Sequence, residues 1–113
     1  MTNILDEIDI KLLNDIYEMD INCGKSINID DYELTDPDLK RKRQELAWHL
    51  MKLERLEYVQ LNKGAFVEGG IRHEKFKNNV YSIDWEKVHI KDKGIKLISE
   101  AKTNEININK QEP

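Results

Sequence analysis

Within "DPDLKRKRQELAWHL", residues 36–50, Arg41 and Gln44 are the residue types that form paired hydrogen bonds with guanine and adenine edges, and they stand about one helical turn apart. Four consecutive basic residues, Lys40 to Arg43, surround the first of them, and Trp48 follows. If Leu39, Leu46, Leu50 and Leu53 form the buried stripe, a wheel of about 100° per residue turns Arg41, Gln44, Trp48, Lys52 and Arg55 to the opposite face. Lys40 and Glu45 flank that face, and Lys42 and Arg43 fall at the edges of the stripe, so the block offers two or three usable cations. Base readout would fall to Arg41 and Gln44, and phosphate contact to Lys40 and Lys52. A second basic run, "GGIRHEKFKNN" at 69–79, adds Arg72, Lys75 and Lys77, with Lys63 in the turn before it. Other readings fit the same residues. A solvated helix surface explains the cations, because Lys and Arg are good helix formers. Trp48, in the middle of the outer face, suits a protein contact or packing within its own chain better than a groove.

Other chemistries find no support. Cys23 is the only cysteine, which excludes an internal disulfide and a cysteine metal cage, and it reads as a partly buried thiol in a loop. His49, His73 and His89 stand at unrelated spacings, without the patterns that hold zinc, and read as surface or packing residues. There is no Ser/His/Asp or Cys/His arrangement and no phosphate-cradling glycine loop. Acidic groups at Asp6, Glu7 and Asp9 and at Asp30 and Asp31 sit where helix capping explains them. The expectation is a non-enzyme with no cofactor, no metal and no small-molecule ligand.

Composition sets the frame. In 113 residues, 39% hydrophobic and 35% charged content fits one small globular domain rather than a disordered or membrane protein. No apolar run approaches the roughly 20 residues of a bilayer span, and "MTNILDEIDIK" is acidic where a secretory signal is basic and then apolar. A cytoplasmic location without membrane contact is therefore expected. Eighteen Lys and Arg against 22 Asp and Glu give a net charge of -4, which argues against indiscriminate nucleic-acid binding and makes the placement of the cations decisive.

The elements that must position these residues follow from periodicity. Leu5, Ile8, Leu12, Ile16 and Met19, widened by Ile10 and Leu13, predict a first helix, with Gly24 as the left-handed residue that closes it. "SINID" alternates as a short strand, and "DDYEL" has room for one helical turn. The long helix opens with Asp36 as N-cap, Pro37 in its first position and Asp38 in its first turn, and runs to about Leu56. "YVQL", a turn at "NKG", "AFVEGG" and "VYSIDW" predict antiparallel strands with a long, charged, flexible connection. A last helix starts near Asp92, with Ile95, Leu97 and Ile98 on its apolar side. The division expected is a domain at 1–102 and a flexible polar tail at 103–113. The order of elements predicts an α+β fold.

"INIDDYELTDPDLKRKRQELAWHLMKLERLEYV" at 27–59 and "VHIKDKGIKLISEA" at 88–101 resemble the small winged-helix proteins of low-GC Gram-positive bacteria and their prophages, the YjcQ-like family. The likeness covers roughly residues 8–101 and is carried by "LERLEYV" and by the "IKDKGIKLI" that leads into the last helix. The wing is longer here, and the tail after Ala101 has no counterpart. The resemblance implies a winged helix-turn-helix, with a three-helix core, a small antiparallel sheet as wing and a C-terminal helix. It further implies a transcriptional regulator of phage or low-GC bacterial origin, with the long third helix in the major groove of double-stranded DNA and the wing on the backbone. The alternative is a winged-helix module that binds itself or a host protein through Trp48. Which of Gln44 and Trp48 is exposed separates the two.

Overall fold

A computed structural model describes the backbone of residues 4–111 and the side chains of residues 4–102. The chain is α+β, with three α-helices and two antiparallel strand pairs. Helix α1, Glu7–Ile21, starts in a capping box: the Asp6 carboxylate accepts from the Asp9 N–H at 2.8 Å, and the Asp9 carboxylate accepts from the Asp6 N–H at 3.0 Å. Leu12, Leu13 and Ile16 are buried, as the spacing predicts, whereas Ile10 is exposed. At the far end Cys23, not Gly24, takes the left-handed conformation, with φ 51°, and its thiol is exposed. Gly24 serves another purpose, since a Cβ there would sit 3.1 Å from the Glu18 carbonyl oxygen.

The expected strand at "SINID" does not form. Ile27 precedes a one-turn 3-10 helix, Ile29–Asp31, that Asn28 caps through its side chain. Tyr32 follows, buried, and its hydroxyl donates to Asp15 on α1. Helix α2, Leu39–Arg55, begins later than expected, because Asp38 is the N-cap and accepts from the Arg41 N–H. Asp36 stands outside the helix and accepts from the Asp38 N–H at 3.1 Å, and Leu39, placed by the wheel in the buried stripe, is 45% exposed. Helix α2 closes at Leu56 and Glu57; the latter is left-handed at φ 72° and lets the Tyr58 N–H reach the Leu53 carbonyl.

Strand β1, Val59–Leu61, pairs with β4, Val88–Ile90, and between them lies a second antiparallel pair, β2, Phe66–Glu68, with β3, Val80–Ile83. Strand β4 falls on "VHI", which sequence reading leaves in the connection to the last helix. A bulge in the second pair makes Tyr81 the extra residue on β3 and leaves its ring exposed. Helix α3, Asp92–Gln111, starts at the expected residue. The first turn of α3 touches backbone: a Cβ on Gly94 would lie 2.5 Å from the Tyr58 carbonyl oxygen and 2.8 Å from Ile90. The expected tail at 103–113 has its side chains outside the described residues, and the α3 backbone enters it as far as Gln111. Among the described residues, no helix is long and apolar enough to cross a membrane.

The core lies between α1, α2 and the β1–β4 pair, and Ile98 of α3 completes it. Helix α2 packs on α1 on one side and on β3 on another, so four consecutive residues, Gln44, Glu45, Leu46 and Ala47, are all buried. A helix buried on opposite sides keeps only a narrow strip for any partner.

Candidate interaction surface

The connection between β2 and β3, residues 69–79, is folded onto α2 rather than left as a free loop. Gly70 turns the chain at φ 77°, and the Lys40 ammonium lies against it, 2.3 Å from where a Cβ would stand. The His73 ring is buried and its Nδ1 accepts from the N–H groups of Lys75 and Phe76, which winds 73–77 into a tight turn ending in left-handed Lys77, φ 58°. Asn78 ties this turn to the helix, since its Nδ2 donates to the Gln44 and Phe76 carbonyls and its Oδ1 accepts from the Val80 N–H. Buried polar atoms of the connection are thereby satisfied, which is the condition for packing a loop against a helix.

The residues expected to meet DNA are distributed by this arrangement. Gln44 is a correction: the wheel puts it on the outer face, but it is 1% exposed, and its Nε2 donates to the Ile71 carbonyl at 2.9 Å. The inserted connection covers the strip of helix that a two-sided wheel leaves open. Arg41 is part-exposed and held between Asp36 and Glu74, the latter at 2.7 Å. Its guanidinium brings Glu74 down to about 2 and holds Asp36 below its ordinary range. Lys52 is turned inward onto Asp9, with its ammonium 5.8 Å from the Trp48 ring centre. Lys40, Arg72, Lys75 and Lys77 carry no ion pair among the described residues, and Lys75 stands 5.3 Å from the Phe76 ring centre. The structure thus brings Lys40 beside the connection, places Arg72, Lys75 and Lys77 exposed on it, and commits Lys52 to Asp9.

Trp48 is on the outer side of α2, 37% exposed, with its ring centre 5.5 Å from that of Phe76 in a tilted contact and an edge-on contact with His49 at 4.9 Å. Ile71, whose carbonyl meets Gln44, is 83% exposed and lines a shallow recess with Asp38, Lys40 and Arg41. The surface around the connection therefore combines a half-covered indole, a projecting isoleucine and unpaired cations.

Beneath Trp48 is a polar group that sequence reading divides between capping and packing. Asp9 is fully buried; its carboxylate meets His49 Nδ1 at 2.6 Å and Lys52 Nζ at 2.5 Å, besides the Asp6 N–H. Burial alone would raise its pKa, but the hydrogen bonds from His49 and Lys52 prevail and bring it down to about 2. Asp6, Asp9 and His49 present one ligand atom each within 4.8 Å, the only such group of metal-ligating type among the described residues. Both Asp9 oxygens already have partners, however, and the Lys52 ammonium holds the cation position, so the group is a structural tie between α1 and α2. The signal was weak in sequence, because Asp9 and His49 lie 40 positions apart.

Comparison of the chain with family models, with curated proteins and with solved structures gives no match.

Proposed function

We propose that the chain is a small protein-interaction domain built on a winged-helix arrangement, and that its contact surface is the 69–79 connection folded over α2. In this reading α1, the 3-10 turn and α2 make the helical part, β1 and β4 are the wing strands, and the β2–β3 hairpin is an insertion in the wing. The segments that carry the likeness to winged-helix proteins, "LERLEYV" and "IKDKGIKLI", fall at the junctions of α2 with β1 and of β4 with α3.

One observation carries the preference for a protein over DNA: the connection covers Gln44 and clamps Arg41 while Trp48 and Ile71 remain at the surface. Groove reading needs free polar side chains at the N-terminal end of the helix, whereas tryptophan at a surface is enriched among the anchors of protein contacts. The net charge of -4 also opposes a long polyanion.

The test is a titration of random-sequence duplex DNA against salt, followed by fluorescence anisotropy. This reading expects weak binding at most, with a slope unchanged by Arg41→Ala. Duplex binding that weakens steeply with salt, with a slope made shallower by about one on Arg41→Ala, would instead support the DNA regulator.

A further inference from the structure

We propose that the cleft on the other side of α2, lined by Arg43, Ser26, Asn28, Ser82, Ile83 and Trp85, binds a small organic anion with an apolar body. The site is separate from the surface around Trp48 and does not depend on how that surface is used. Its volume, about 400 Å³, lies within the range of small-ligand pockets. Three segments converge there: the stretch before the 3-10 turn, the middle of α2, and the end of β3 with the turn that follows it.

The chemistry of the lining is specific. Arg43 is half-buried and has no ion pair or side-chain hydrogen bond among the described residues, unlike Arg41 one half-turn earlier. A guanidinium that is partly desolvated and unpaired is matched by a carboxylate or phosphate, which its fork of N–H groups takes in two-pronged fashion. Ser26, Ser82 and Asn28 add hydroxyl and amide groups at the rim, and Trp85 with Ile83 supplies an apolar wall against which a ring or branched chain can lie. Across the 26–28 stretch lies a second cleft, lined by Asp15, Glu18 and Asp31. Its carboxylates repel an anion, so the Arg43 side is where one would settle.

The test uses intrinsic fluorescence in a Trp48→Phe background, which leaves Trp85 as the only indole. Benzoate, phenyl phosphate and neutral benzyl alcohol are titrated separately to ~10 mM, a range that covers millimolar affinities. A saturable change in Trp85 emission with benzoate or phenyl phosphate, but not with benzyl alcohol, is expected, and the better of the two anions identifies the headgroup. Arg43→Gln should weaken that binding by about tenfold or more, and Arg43→Lys, which keeps the charge and loses the fork, should fall between. Either variant must melt as the parent does, and if Arg43→Gln does not, Arg43→Lys decides alone. No saturable change with either anion, an equal response to benzyl alcohol, or undiminished binding in the folded variant would overturn the proposal.

Discussion

Asp9 is a carboxylate with no exposed surface, and its stability rests on Lys52, His49 and the Asp6 N–H. Asp9→Asn removes the charge that Lys52 and His49 address, and a loss on the order of 3 kcal/mol is expected from breaking a buried pair, measured by urea denaturation at neutral pH. The pH dependence follows from the same contacts. Because the folded pKa is lowered from 3.8 to about 2, the contribution of Asp9 is complete above the ordinary value and is lost as pH falls towards 2. The difference in stability between parent and Asp9→Asn should therefore shrink across that window; a constant difference would show that the charge does not matter. At this scale sequence was a partial guide. The Asp6 and Asp9 cap was legible, since it joins residues three apart, while the link to His49 was not, because nothing local marks a contact across 40 positions. Gln44 was misplaced for a related reason: a wheel orients a helix against one core, and this helix has a second cover.

Elements were more legible where their cause is local. Helix α1, the run of α2 to Leu56 and the start of α3 at Asp92 follow from apolar spacing and caps. The "SINID" alternation does not become a strand: among the described residues it joins neither strand pair, and its Asn28 caps a 3-10 helix instead. Strand β4 was missed because three residues carry too little pattern, and only pairing with β1 defines them. Gly94 shows how such pairing is read back into sequence, since α3 docks on the β1–α2 junction with no room for a side chain. Gly94→Ala should cost about 1–3 kcal/mol despite the better helix propensity of alanine, seen as a lower melting temperature. The connection 69–79 was expected to be flexible and is instead tied down by Asn78 and Gln44. Asn78→Ala should leave the Phe76 carbonyl and the Val80 N–H without their side-chain partner and remove the tie to the Gln44 carbonyl, at about 1–3 kcal/mol. Faster hydrogen exchange at the His73 and Val80 amides, with α1 unaffected, would show that the connection has come loose on its own.

For the molecule as a whole, the charge total was legible and its arrangement was not. A net charge of -4 leaves open where cations gather, and only the fold pairs Arg41 with Asp36 and Glu74 and turns Lys52 inward, leaving Lys40 beside Ile71 and Arg72, Lys75 and Lys77 exposed on the connection. This arrangement underlies the claim that the connection and α2 together form a protein-binding surface. The most direct measurement places the photo-crosslinker benzoylphenylalanine at position 48 and irradiates the chain in its native host, with nucleic acid retained. A protein-binding surface gives adducts heavier than the chain that survive nuclease and are lost when Ile71→Asp is added. Adducts that nuclease removes, or protein adducts indifferent to Ile71→Asp, would contradict that claim.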